Sequence, residues 1–163
     1  MVDKLTTEFE TYMREWILND LSAPIAILNN FSKCPYAKTA YLENKVKFYE
    51  ITDTNEIHTI VDDWIELLDV SVIKLPDSVD KDNIVDLVDN LNDLYMSEDF
   101  VFLDDHVDNE ERMHDIVFNN GKYNVLFLQK KSKLDLATKK LEKLGYYKTW
   151  TEEYYNEVVG WRS

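Results

Sequence analysis

Cysteine, glycine and proline are scarce in this chain of 163 residues, which has one cysteine, three glycines and three prolines. A single cysteine excludes an internal disulfide and favours a reducing compartment, so we predict a cytoplasmic location. Neither a Gly-rich phosphate loop nor a Gly-x-Ser-x-Gly nucleophile elbow occurs in the sequence. Enzyme classes that depend on these motifs are therefore excluded.

Long apolar runs and basic charge are also lacking. Residues 1–20 carry five acids and no apolar core, which predicts no signal peptide, and no run reaches membrane-spanning length. The chain has 32 acidic and 18 basic residues, a net charge of −14. Nucleic acid and anionic membranes repel such a chain, so we predict neither direct nucleic-acid binding nor membrane association. The partner that this charge favours is a basic protein.

The chain has enough apolar residues to fold, because 45% of it is hydrophobic and 13% aromatic. We predict a single domain over 1–163, with N-terminal helices in 1–30, an α/β core in 31–145 and an aromatic helical tail in 146–163. Apolar residues at helical spacing predict a first helix over 6–20; they are Leu5, Phe9, Met13 and Trp16. Ser22-Ala23-Pro24 indicates the start of a second helix that ends near residue 30.

Strands and helices alternate through the core. The pattern predicts strands at 46–51, 70–75, 100–103 and 122–129, and helices over 37–42, 56–68, 82–95 and 132–144. The strand at 122–129 is apolar on both faces, which is typical of a central strand. We predict an α+β fold, a four-stranded sheet covered by helices mainly on one face, ferredoxin-like or related. A three-layer α/β arrangement is the alternative.

Acidic residues are concentrated in one segment. Residues 77–115 contain fourteen acids and two bases, a net charge of −12, so the rest of the chain carries −2. One interpretation is a solvated helix face followed by a polar loop. The other is an acidic surface that binds a basic protein, or that imitates nucleic acid towards a nucleic-acid-binding protein.

The only cysteine, Cys34, stands directly before a proline. Pro35 suits the first turn of a helix, which would place Cys34 at the cap, where the helix dipole favours a thiolate. Lys33 and Lys38 would lower the thiol pKa further. These features predict a reactive thiol, and the alternative is a buried structural cysteine.

Cys34-Pro35-Tyr36-Ala37 resembles the glutaredoxin motif Cys-Pro-Tyr-Cys, with Ala37 in place of the second cysteine. A short helix and a Val-Lys-Phe-Tyr-Glu-Ile strand follow it, as in that family. With one cysteine a dithiol mechanism is excluded, and the resemblance implies a monothiol exchange at Cys34.

A longer segment is similar to a bacterial family, number fourteen-fifteen among the domains of unknown function. That family has a Trp-containing helix, a Leu-Cys-Pro-Phe-Ala motif, a Val-Arg-Phe strand, a His-Pro segment, an Asn-rich turn, and an apolar strand before a Ser-led helix. The corresponding positions here are Trp16, 34–37, 46–48, His106, 119–123, 126–129 and 132–137. Val107 and Lys122 replace prolines of the family pattern. The resemblance implies no activity, but it implies that Cys34, His106 and Asn120 face one pocket.

Two histidines accompany the acids. His106 follows a predicted strand, and together with His114 and Asp104 it provides donors for a divalent metal. The alternative is that this loop is simply solvated. The C-terminal aromatic residues, Trp150 among them, are interpreted as a packing cluster, and the alternative is a surface on which bases or sugars stack.

Two functional classes remain open. One is a thiol- or metal-assisted enzyme centred on Cys34, His106 and Asn120. The other is a non-catalytic binding protein whose acidic 77–115 face engages a basic or nucleic-acid-binding partner. The Asn-, Lys-, Asp- and Ile-rich composition is typical of an AT-rich genome and is compatible with a viral origin.

Overall fold

A computed structural model describes residues 6–162, so Leu5 of the predicted helical stripe and Ser163 of the predicted tail lie outside it. The helices are α1 Glu8–Glu15, α2 Ala37–Leu42, α3 Glu56–Asp62, α4 Lys81–Tyr95, α5 Lys131–Lys143 and α6 Glu152–Val158. The strands are β1 Val46–Glu50, β2 Val70–Lys74, β3 Phe100–Asp105, β4 Arg112–Met113, β5 Ile116–Val117 and β6 Val125–Lys130. Within residues 6–162, no helix is both long enough and apolar enough to cross a membrane.

Four strands form one mixed sheet in the order β1-β2-β6-β3. β1 and β2 are parallel, and β6 runs antiparallel to both of its neighbours, β2 and β3. The predicted α+β fold with a four-stranded sheet is thus confirmed, as is the central position of the last apolar strand. β4 and β5 form a separate two-stranded hairpin.

Helices α3 and α4 lie on the same face of the sheet because of how the chain crosses it. Two crossovers, β1-α3-β2 and β2-α4-β3, each connect parallel strands, and both lead toward the β3 edge of the sheet. Because such crossovers are right-handed, both helices lie on the same side of the sheet. Their apolar residues, including Ile57 and Ile84, pack with Ile73 and Phe102 of the sheet. Helix α1 covers the opposite face, where Phe9 packs in a cluster with buried sheet residues.

The edge strand β3 is secured by one side chain of α4. Asn92 is only 6% exposed. Its amide nitrogen donates to the Phe102 carbonyl over 3.0 Å, and its amide oxygen accepts from the Phe102 N–H over 2.8 Å. One side chain therefore replaces the backbone partner that an outer strand would have provided.

Two predicted helices are broken into shorter pieces. The predicted second helix is a single 3₁₀ turn, Ala26–Leu28, because Asn29 and Asn30 then take left-handed conformations with φ of 55° and 67°. The C-terminal tail consists of a 3₁₀ turn, helix α6 and a second 3₁₀ turn. Thr151 begins α6 by accepting the Tyr154 N–H, so the aromatic tail is not one continuous helix.

The C-terminal segment packs against the hairpin in a separate apolar cluster. Tyr154 of α6, Met113 of β4 and Leu28 are its buried members, and Phe118 and Trp150 pack against them. The prediction of an aromatic packing cluster is thus confirmed. This cluster fixes α6 beside the loop that follows β3.

Candidate functional site

Polar residues gather at the sheet edge where β3 ends and β6 begins. Asp105, the last residue of β3, is paired with Val125, the first residue of β6. His106 follows Asp105 directly, and Asn119 and Asn120 precede β6 in the sequence. The edge therefore brings together two residues of the predicted catalytic set, His106 and Asn120.

Asp105 is the centre of a buried hydrogen-bond network and is 5% exposed. Its carboxylate accepts from the Asn120 backbone N–H (2.9 Å), the Asn120 amide (2.7 Å) and the Asn119 amide (2.8 Å). Burial raises the pKa of the Asp105 carboxyl, and these three donors oppose the rise because they favour the charged form. The network ties the end of β3 to the loop before β6.

Both polar atoms of the Asn120 side-chain amide form hydrogen bonds within the loop before β6. Its oxygen accepts from the N–H groups of Lys122 (3.0 Å) and Tyr123 (2.8 Å), and its nitrogen also donates to the Tyr123 carbonyl. The residue is 4% exposed. The predicted catalytic role of Asn120 is not favoured, because its polar atoms are already occupied in closing the turn.

His106 is 2% exposed, and both of its ring nitrogens are engaged by backbone. Nε2 lies 2.9 Å from the Val79 carbonyl, which can only accept, so Nε2 carries the proton. Nδ1 accepts the Asp108 N–H over 3.0 Å. The imidazole is therefore held in one neutral tautomer, with no nitrogen left to bind a metal or transfer a proton.

The three predicted metal ligands are not assembled. His114 lies in the tight turn between β4 and β5, with φ of 52°, and its ring bonds to the Thr149 carbonyl. Asp104 projects from β3 on the same face as Phe102, since side chains alternate along a strand. Among residues 6–162, no three His, Cys, Asp or Glu side chains are placed to hold one metal ion.

Cys34 lies outside the helix that was expected to activate it. Helix α2 begins at Ala37 with Tyr36 at its cap, so Pro35 is not its first residue. Cys34 is exposed as a residue, but burial of its sulfur raises the pKa of the thiol, while the N–H groups of Tyr36 and Ala37 lower it in part. The expected low-pKa thiolate is therefore not supported.

Cys34 and His106 also have different surroundings. The Cys34 N–H donates to the Leu21 carbonyl, and the Tyr146 hydroxyl donates to the carbonyl of the preceding Lys33. No hydrogen bond in the described part of the chain joins Cys34 to His106. The structure thus brings Asn120 and His106 to one edge and gives Cys34 separate partners.

The raised thiol pKa predicts slow alkylation of Cys34. We expect iodoacetamide to react with the folded protein at neutral pH more slowly than with a short cysteine peptide, because only the thiolate is nucleophilic. The rate should rise with pH, with a midpoint above that of the peptide. A midpoint below the peptide value would support the predicted reactive thiol at Cys34. The Cys34→Ser variant gives the background rate of the reaction.

Glu111 is the perturbed carboxyl that the sequence did not single out. Burial, together with the nearby charges of Asp104 and Asp105, raises the pKa of Glu111 to about 7. The Tyr154 hydroxyl donates to its Oε2 over 3.2 Å and opposes this rise. Glu111 therefore links the loop after β3 to α6 while adding a third carboxyl to a crowded region. In sequence it was one acid within a segment interpreted as solvated.

Four aspartates form a stripe along the outer face of α4. Their positions fall within about 60° of arc on a helix of 3.6 residues per turn and span about 16 Å. All four are exposed, and none has an ion-pair partner within residues 6–162. This α4 acidic stripe consists of Asp82, Asp86, Asp89 and Asp93.

Known proteins provide no further constraint on this site. The resemblances of 34–37 to glutaredoxins and of the longer segment to the bacterial family remain predictions from short motifs. No family model matches the chain, and no curated protein or solved structure is significantly similar to it.

Proposed function

We propose that this chain is a non-catalytic binding protein whose α4 acidic stripe engages a basic protein segment. The observation that carries this proposal is the concentration of four carboxylates on one exposed helix face, none of which forms an ion pair within residues 6–162. The partner chemistry that matches such a stripe is a row of lysine or arginine side chains, spaced by about one helical turn.

Beyond its first turn, the stripe does not help the helix to fold. Asp82 and Asp86, Asp86 and Asp89, and Asp89 and Asp93 are like-charged neighbours at three- or four-residue spacing. Each such pair destabilises a helix by about 0.2–0.5 kcal/mol, or about 1 kcal/mol for the three pairs. Asp82 offsets part of this because it lies in the first turn, where the helix dipole favours an acid. The other three aspartates have no such return, which supports an external role for their charges.

Apolar surface next to the stripe supports a protein partner. Val85 is 45% exposed and lies beside the stripe on the helix surface. A branched aliphatic side chain of this kind can contact the methylene stems of lysine or arginine. A partner could therefore bury apolar surface while it neutralises the carboxylates.

The thiol- or metal-assisted alternative has less support. It needs a free imidazole at His106 and an activated sulfur at Cys34. Both His106 nitrogens are bonded to backbone, and burial raises the pKa of the Cys34 thiol. The acidic stripe, by contrast, is exposed over its whole length.

Neutralising the stripe should weaken binding of a basic probe and leave the fold intact. The variant Asp86→Asn, Asp89→Asn, Asp93→Asn is expected to bind a fluorescein-labelled deca-arginine peptide about tenfold more weakly, since three exposed ion pairs each contribute about 0.5 kcal/mol. Its thermal unfolding midpoint should rise slightly, because like-charge repulsion is relieved. Fluorescence anisotropy at about 0.15 M salt measures the affinity.

A charge-matched control separates the stripe from the net charge. Glu50→Gln, Asp62→Asn, Asp63→Asn changes the net charge equally, at three exposed residues that form no ion pair within the described chain. We expect it to bind the peptide within about twofold of the parent protein. Equal losses in the two variants would show that only overall charge matters and would reject the proposal.

A further inference from the structure

A cleft of about 410 Å³ lies between the first helix and the loop before β6. Its volume falls within the range of about 300–1,000 Å³ that is typical of small-molecule sites. α1 continues into a five-residue π-helix, Trp16–Asp20, closed by the Leu21 N–H donating to the Trp16 carbonyl over 2.9 Å. Single π turns inside helices often mark functional sites. The helical side of the cleft is lined by Tyr12, Glu15, Trp16, Asn19 and Asp20.

Hydrogen-bond acceptors predominate on the open wall of the cleft. Glu15 is exposed and has no hydrogen-bond or ion-pair partner in the described part of the chain. Asp20 binds Lys33 through Oδ2 at 2.8 Å, which leaves its Oδ1 for a ligand. Asn19 adds one further amide.

The donors around the cleft are largely committed or covered. The amides of Asn119 and Asn120 are bonded within the Asp105 network. The Lys33 side chain is 10% exposed and paired with Asp20. The indole N–H of Trp16 is buried and has no hydrogen-bond partner in the described part of the chain. The exposed carboxylates of Glu15 and Asp20 nevertheless favour a ligand that brings its own donors.

Aromatic rings complete the recognition chemistry. The Tyr12 ring already makes one cation–π contact, with the Lys122 ammonium 5.2 Å from the ring centroid. Trp16 provides apolar surface for a methylene stem and is supported from behind by Phe127, with ring centroids 6.2 Å apart. Counting Glu15, Asp20 and Lys33, the charged lining has a net charge of −1.

We infer that this cleft binds a small organic cation, an aliphatic amine or guanidine whose N–H groups bond to Glu15 and Asp20. The cleft is on the α1 side of the sheet and the α4 acidic stripe is on the other side. This site is therefore separate from the proposed docking surface and goes beyond it. Anionic ligands are disfavoured by the two carboxylates of the lining and by the net charge of −14.

Titration of the ¹⁵N-labelled protein with agmatine tests the inference. We expect saturable binding at about 0.15 M salt, with a dissociation constant of roughly 1 mM or below and amide shifts concentrated at residues 12–20. The neutral analogue 1,4-butanediol should cause no saturable shifts, since it lacks the cationic donors. No saturation with agmatine, or equal binding of the diol, would overturn the inference.

Single-charge variants locate the site. Glu15→Gln should weaken agmatine binding about fivefold, whereas Glu10→Gln, the same change outside the cleft lining, should stay within about twofold. The three-aspartate variant of α4 should bind agmatine as the parent does, so this result is independent of the deca-arginine result. Equal weakening of agmatine binding by Glu10→Gln and Glu15→Gln would show that binding depends only on net charge. That result would contradict specific binding in the cleft.

Discussion

Replacing Asn92 by alanine is expected to lower the free energy of unfolding by about 3 kcal/mol, because two buried backbone groups lose their partner together. The Asn92 amide satisfies both the N–H and the carbonyl of Phe102, at 2.8 Å and 3.0 Å. Phe102 is fully buried, so water cannot replace the lost bonds without opening the core. For a chain of 163 residues, this loss corresponds to a thermal midpoint about 9 °C lower.

Chemical denaturation of Asn92→Ala beside Asn90→Ala measures this effect. Asn90 lies on the same helix but is exposed, so its replacement should change the stability by no more than about 0.5 kcal/mol. Asn92→Asp keeps an acceptor but loses the donor, and it places a charge in the same buried position. If Asn92→Ala cost less than about 1 kcal/mol, the edge of β3 would not depend on this side chain.

Replacing Glu111 by glutamine should make the protein less sensitive to rising pH. The folded pKa of Glu111, about 7, lies above its unfolded value of 4.5, so the folded state favours the neutral carboxyl. Between these values the folded state holds a proton that the unfolded state has released, and stability therefore falls as pH rises. Below pH 4.5 the penalty is absent, and above pH 7 it is complete.

The difference in unfolding free energy between Glu111→Gln and the parent isolates this group from the other acids. It should increase in favour of the variant by roughly 2 kcal/mol between pH 5 and pH 8. Denaturant unfolding at several pH values gives the curve. Glu50→Gln, the same replacement at an exposed residue, gives the reference curve. A flat curve for Glu111→Gln would mean that Glu111 ionises in the folded protein as it does in the unfolded chain.

Regular periodicity predicted the elements that have one apolar face. The stripe containing Ile84 and Leu91 defines α4, and the two-sided apolar run around Phe127 marks the central strand β6. The pairing of β6 between β2 and β3 could not be read from the pattern, because strand order depends on contacts distant in sequence. The short helix α2 was predicted over its observed range, 37–42, but the second N-terminal helix was not, because Asn29 takes a left-handed conformation after the single turn Ala26–Leu28.

The candidate site shows a different limit. The sequence indicated His106 and Asn120 as polar residues near strand ends, and the structure does place them at one sheet edge. It could not indicate that their polar atoms are used by backbone groups, because these bonds come from the loop geometry. Cys34 was expected at a helix cap, but the turn at Pro35 and Tyr36 delays the helix to Ala37. The sequence could not distinguish Glu111 from the neighbouring acids, which are exposed.

Mapping where a basic peptide contacts the chain tests directly whether the α4 acidic stripe is the binding surface. The measurement is the change in backbone amide shifts of the ¹⁵N-labelled protein on addition of deca-arginine. We expect the largest changes to follow Asp82, Asp86, Asp89 and Asp93 along one face of Lys81–Tyr95. Changes spread evenly over all exposed acids, or concentrated on α6 around Glu152 and Glu153, would contradict it.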